Sequence, residues 1–265
     1  MIKKRHLWIL CFSFSLSAEE KKESRPPLVE EKKIISYGKT TIENQRIHYR
    51  SQVGNILLKS PKDEKPRASI YYTSYSRSNT KKSTKRPLTF LFNGGPGSSS
   101  VWLHLGGFGP KRVKLPSSGT MEARQPYELT DSEDSLLNVS DLVFVDPVST
   151  GFSKTLKGVS PKDYHGYHQD VDSLSEFISL YLTRNSFWGR KVYLVGESYG
   201  TTRAIGVSEK LQDRYGLYLS GLVLISSVVD FSHIMFGHEQ RDLPYILYFP
   251  SYAATAWYHK KLPDD

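Results

Sequence analysis

Residues 191–200 read KVYLVGESYG, a short β-branched and aromatic run that leads into a G-x-S-x-G pentapeptide formed by Gly196, Glu197, Ser198, Tyr199 and Gly200. Residues 201–212 then repeat apolar side chains at helical spacing, so the pentapeptide joins a strand to a helix. A chain that reverses this sharply accepts only small residues two places either side of the serine, because a side chain there collides with the turn. Both places are glycine. The pattern predicts a nucleophile elbow that lifts the Ser198 hydroxyl clear of the backbone. Short G-x-S-x-G strings also arise by chance, so the reading needs a second element.

That element stands about a hundred residues upstream. PLTFLFNGGPGSSSVW, residues 87–102, sets an apolar strand at 88–92 against a glycine-rich loop at 93–97, followed by serines and a short helix. Taken alone, G-G-P-G is a tight turn joining strand to helix. Beside an elbow it acquires a second meaning, because bare backbone N–H groups are what a tetrahedral oxyanion needs during acyl transfer. One donor comes from such a loop and one from the residue after the nucleophile. Gly95 and Tyr199 are the expected pair.

Three strings in this order, FNGGPGSSS at 92–100, LVFVDPVSTGFS at 142–153 and GESYGTTRA at 196–204, resemble the serine carboxypeptidase family, particularly its bacterial branch. The likeness runs from about Thr41 to the last residue. It implies an α/β-hydrolase fold, a central and mostly parallel sheet flanked by helices. It also implies a Ser-Asp-His triad that removes single residues from peptide C-termini, with no metal and no organic cofactor. In the family, a glutamate at the position of Glu197, with the asparagine and first glycine at Asn93 and Gly94, binds the C-terminal carboxylate of the substrate. Two carboxylates at hydrogen-bonding distance repel unless one holds a proton, so such binding strengthens toward acid. Two departures from the family pattern are visible: Ser98 stands where many relatives carry cysteine, and Ser149 where glycine is usual. Both bear on loop geometry and not on reaction type. Asp146, which precedes the serine, is expected to shape the loop beside the site and not to serve as the triad acid.

Length and composition agree with an enzyme domain: 265 residues, 38% of them hydrophobic, suffice for one large α/β core. The formal charge of +9 raises the question of nucleic acid. The basic residues, however, gather near the N-terminus and at 81–86 instead of along one periodic face, so no nucleic-acid partner is expected. Residues 1–18 have the three parts of a secretory signal: Lys3, Lys4 and Arg5, an apolar run at 7–16, and small residues around Ser15, Ser17 and Ala18. Export to a periplasmic or extracellular setting follows, with no stable membrane insertion, since no segment reaches the ~20 apolar residues a bilayer requires. The single cysteine, Cys11, falls inside the signal, so the mature chain must be held together without disulfides.

Residues 19–39 are charged, contain Pro26 and Pro27 and lack periodicity, which predicts a flexible leader. Alternation at 42–50, 55–59 and 68–75 predicts antiparallel strands at the leading edge of the sheet. Apolar runs at 142–145, 192–195 and 222–229, with a helix at 171–182 between the first two, argue for a parallel centre. The catalytic domain is thus expected over 40–230, and residues 231–265, rich in aromatics, as the start of a helical cap.

In α/β-hydrolases the triad acid and base follow the serine on loops after later strands. Here one more strand follows, so the sheet is expected to be incomplete on its C-terminal side, the acid and base to be missing, and a C-terminal half to be absent. Asp230, His233, His238 and His259 are the remaining candidates for an abbreviated triad, and the histidines otherwise read as polar loop or surface positions. Three readings stay open. One is a serine carboxypeptidase acting on peptide or protein C-termini, here represented by its N-terminal part. Another is a remnant that binds peptide C-termini through Asn93, Gly94 and Glu197 without cleaving them. The third is an esterase or acyltransferase using the same serine, since fold does not fix the acyl acceptor.

Overall fold

The computed structural model describes residues 30–78, 86–116, 126–234 and 242–262. Ten strands are seen among them: β1 Lys33–Ile42, β2 Gln45–Lys59, β3 Pro66–Arg77, β4 Leu88–Phe92, β5 Lys111–Val113, β6 Leu129–Asp131, β7 Asp141–Val145, β8 Lys154–Thr155, β9 Val192–Glu197 and β10 Gly221–Ile225. The α-helices are α1 Val101–Leu103, which runs on into a π-helical turn at His104–Phe108, α2 Tyr167–Arg184, α3 Tyr199–Tyr215 and α4 Leu243–Tyr258. The main sheet has the order β1-β2-β3-β7-β4-β9-β10. Its first half is an antiparallel meander, and β7, β4, β9 and β10 run parallel. The small β5–β6 hairpin stands apart, and β8 pairs with β3.

The parallel strands are short continuous apolar runs because both of their faces are covered. Phe90, Phe92, Val143, Val145 and Leu194 point into one core, shared with Phe177 and Tyr181 of α2 and with Ala204, Val207 and Leu211 of α3. Leu91, Leu142, Phe144 and Val195 point the other way, toward Ile42, Ile47, Leu103 and Leu137. Going out from β4, the chain builds β7 on one side and β9 on the other. That reversal opens a crevice at the carboxyl ends of β4 and β9, where α/β sheets place their sites.

Several boundaries differ from the sequence expectations. The leader expected over 19–39 lies outside the described residues up to position 29, and its last part is strand: β1 begins at Lys33 and pairs with β2 along its whole length. Backbone pairing, which needs no apolar pattern, orders this polar stretch. The single strand expected at 42–50 is broken by a two-residue hairpin turn at Glu43 and Asn44, both at positive φ (49° and 60°), as hairpins favour. The run at 222–229 stays extended only to Ile225, so Asp230 does not end a strand. The signal expected at 1–18 lies outside the described residues, and among those described no helix is long and apolar enough to cross a membrane. The expected helix in the tail is α4, whose Ile246, Phe249, Tyr252, Trp257 and Tyr258 are exposed.

At the amino ends of the parallel strands, away from the crevice, Asp141 takes Arg86 Nε at 3.0 Å and an Arg190 terminal nitrogen at 2.6 Å. Both guanidinium groups also donate to backbone carbonyls, those of Leu137, Arg86 and Pro87, so strand starts far apart in sequence are tied together. All three side chains are buried to about nine-tenths. Removing one member of such a cluster strands uncompensated charge. Asp141→Ala is therefore expected to lower stability by about 3–5 kcal/mol, read as a shift in the urea unfolding midpoint, whereas removing the exposed pair partner Asp134 is expected to change it by well under ~1 kcal/mol.

Candidate active site

Ser198 sits between β9 and α3 with φ 57° and ψ −127°, a backbone conformation costly for any residue with a side chain. Packing on all sides holds it there. The Ser198 amide donates to the Ile225 carbonyl at the end of β10 (2.9 Å), and its carbonyl accepts from the Thr201 amide and hydroxyl. The flanking glycines are required by contact: a Cβ at Gly196 would stand 2.1 Å from the Gly200 carbonyl oxygen, and one at Gly200 2.8 Å from that of Phe92. The hydroxyl of Ser198 is half-buried and bonds to no other described residue.

The glycine loop lies directly against this elbow. A Cβ at Gly94 would fall 2.4 Å from the Tyr199 amide nitrogen. The amides of Gly95 and Tyr199, the expected oxyanion donors, donate to no other described residue, which leaves both N–H groups open for a ligand. Sheet register brings the next pair together. Phe92 stands opposite Gly196 in the parallel β4–β9 ladder, so Asn93 falls beside Glu197, and Asn93 Nδ2 donates to Glu197 Oε2 at 3.0 Å. Asn93 Oδ1 in turn accepts from the Leu103 amide. The side chain is thereby locked with its two ends in fixed roles.

Two residues of this constellation escaped the sequence reading. Arg203 of α3, only 1% exposed, pairs through Nε with Asp170 of α2 at 2.8 Å. It also donates to the carbonyls of Asn93 (2.5 Å) and Pro96 (3.3 Å) and lies 5.0 Å from the Tyr199 ring centroid. A signal existed: Arg203 falls on the same helical stripe as Gly200, Val207 and Leu211, all buried, where an arginine has no reason to be unless something polar waits for it. The Tyr199 phenol is pushed up by burial, with the Asp170 carboxylate adding to the effect. A cleft of about 310 Å³ opens here between Pro96, Val148, Tyr199 and Arg203.

Asp146 has the loop-shaping role expected of it. Its carboxylate accepts the Ser100 amide at 2.9 Å and the Phe152 amide at 3.4 Å, and its burial raises its pKa. The loop thus fastened includes Ser149 in left-handed conformation at φ 69°, which explains why glycine is usual there. Asp230 and His233 meet each other at 3.5 Å on the surface, within one turn of 3₁₀ helix, and neither bonds to Ser198. His259 ends α4 against the Tyr258 ring, and His238 lies outside the described residues.

A sheet of this order with a serine elbow after β9 defines the α/β-hydrolase class. Comparison with known proteins narrows it: the serine carboxypeptidase family matches residues 48–233, and the chain belongs to that family. It is 32% identical over 162 residues to serine carboxypeptidase-like 38 of Arabidopsis thaliana, a match covering 58% of this chain and 29% of that protein. It is 31% identical over 157 residues to the pheromone-processing carboxypeptidase of Saccharomyces cerevisiae, covering 55% of this chain and 20% of that one. The crystal structure of a prohormone-processing carboxypeptidase from the same yeast superposes with a TM-score of 0.60 at 21% identity, over 82% of this chain and 44% of the other. The chain thus spans less than half the length of these relatives.

Behind the site, His104 stacks on Phe144 with ring centroids 4.5 Å apart, and its Nε2 meets the Tyr75 hydroxyl at 2.7 Å. Burial pushes its pKa down from 6.5 to about 4 and raises that of the Tyr75 phenol. The native state holds His104 neutral, while the unfolded chain takes up a proton near pH 6.5. The associated stability is therefore complete above pH 6.5 and is lost as pH falls toward 4. The loss amounts to at most about 3 kcal/mol. His104→Gln, which cannot titrate, is expected to remove this component from urea midpoints measured between pH 7 and pH 4.

Proposed function

We propose that Ser198 is the nucleophile of a serine carboxypeptidase that acts on peptide C-termini. The observation that carries this reading is the junction of the Ser198 elbow with the Asn93–Glu197 pair and the open amides of Gly95 and Tyr199. In the reaction, Ser198 Oγ attacks the carbonyl carbon of the last peptide bond. The oxygen that becomes negative accepts from the Gly95 and Tyr199 amides, which donate to no other described residue. The C–N bond breaks, the terminal amino acid leaves with a proton, and water releases the acyl group from Ser198. Asn93, Gly94 and Glu197 hold the terminal carboxylate of the substrate, with Asn93 and Glu197 already bonded to each other at 3.0 Å. No metal or cofactor takes part. The triad acid and base are not assigned to Asp230, His233, His238 or His259. Export under the signal at 1–18 puts the substrate outside the cytoplasm.

One observation favours a second reading, capture of peptide C-termini without turnover: the Ser198 hydroxyl has no base bonded to it among the described residues. Serine without a base is a poor nucleophile.

An organophosphorus serine reagent is expected to label the protein on one residue, and Ser198→Ala to abolish the labelling; label persisting on the variant sinks the assignment. Binding without labelling or turnover selects the second reading. Glu197→Ala removes one side of the Asn93–Glu197 pair. It is expected to weaken binding of a blocked dipeptide with a free C-terminus about tenfold, the worth of one hydrogen-bonding partner, measured by titration at a single pH.

A further inference from the structure

We propose that Arg203 is a positioning residue that aims the Gly94 N–H at the substrate carboxylate, acting through the peptide unit it holds. The inference rests on the carboxylate cradle proposed above and names the part that orients it. Arg203 is fully buried, yet two of its nitrogens are spent on main-chain carbonyls, those of Asn93 and Pro96, which bracket Gly94 and Gly95. In a trans peptide the C=O and the following N–H point in opposite directions. A guanidinium that fixes the Asn93 carbonyl therefore fixes the Gly94 N–H on the far side of the same plane. A cationic donor on the carbonyl also polarises that peptide, so its N–H becomes a stronger donor to an anion.

The need for such a hold is visible in the loop itself. Gly94 and Gly95 lack the side chains that would restrict their backbone, and Gly95 stands at φ 104°, a region open mainly to glycine. A loop free to swing would present its donors in many directions. Arg203 is itself held from the opposite side by Asp170, which is 7% exposed, and by the ring of Tyr199. One side chain of the nucleophile helix thus couples α2, the elbow and the donor loop. Lysine cannot replace it, because one ammonium on a flexible stem does not span two carbonyls and a carboxylate in a plane.

The test compares Arg203→Met and Arg203→Lys with the full wild-type chain by two measurements. Arg203→Met leaves Asp170 buried without a partner and risks unfolding; Arg203→Lys keeps a charge beside Asp170 and covers that case. In ¹⁵N-labelled protein, the amide nitrogens of Gly94 and Gly97, which belong to the two peptide units Arg203 holds, are expected to shift, while that of Gly106 stays in place. Binding of a blocked dipeptide with a free C-terminus is expected to weaken about tenfold, the worth of one oriented charge-assisted donor, with binding of its C-terminal amide unchanged. A folded variant whose Gly94 and Gly97 nitrogens do not move, or one that loses both peptides equally, overturns the inference. If the wild type itself fails to distinguish carboxylate from amide, the carboxylate cradle falls and the aiming role with it, and the nitrogen shifts then decide whether Arg203 holds the loop at all.

Discussion

The site depends on one contact, the backbone of the glycine loop after β4 laid against the backbone of the elbow after β9. The two turns meet at distances that exclude even a methyl group: Gly94 against the Tyr199 amide, Gly200 against the Phe92 carbonyl. Two loops so close can share one small ligand between their N–H groups. Their approach is possible because β4 and β9 are adjacent parallel strands that end at the same level, Phe92 opposite Gly196. The sheet therefore sets the geometry of the site to within a residue, and the glycines permit it.

Electrostatics is arranged in two separate layers around this contact. At the amino ends of the strands, Arg86, Arg190 and Asp141 close the sheet with buried charge that touches backbone and no site residue. At the carboxyl ends, Asp170, Arg203 and the Asn93–Glu197 pair fasten the loops that carry the donors. Both clusters are buried guanidinium–carboxylate pairs, and both spend their remaining donors on carbonyls, as buried polar groups must. The first ties strand to strand, the second ties loop to helix. Their difference in consequence comes from which end of a parallel sheet they occupy.

Legibility varied with the range of the interaction. The elbow and the glycine loop could be read because each is a local solution to a local steric problem, and their glycines sit at fixed offsets from Ser198 and Pro96. Asp146 was placed as a loop former by its motif's resemblance to the family, since the Ser100 amide that it accepts lies 46 residues away. The hairpin at Glu43 and Asn44 and the early start of β1 were missed because neither depends on apolar alternation: one is turn chemistry, the other is pairing along an edge. His104 was invisible as a neutral core residue, since what lowers its pKa is burial beside Phe144 and Tyr75, 40 and 29 residues away in sequence.

The sequence by itself determined the strand-loop-helix character of both turns, because residue types at short spacing leave few steric alternatives there. Its resemblance to the serine carboxypeptidases pointed to the family and marked Asn93, Gly94 and Glu197 as candidates beside Ser198, Gly95 and Tyr199. Tertiary structure alone decided which neighbours hold the set in place. The meeting of Asn93 with Glu197 and the reach of Arg203 from α3 to the carbonyl of Asn93 both depend on the order and register of strands. Register is a property of pairing over long sequence separations, and no local pattern encodes it.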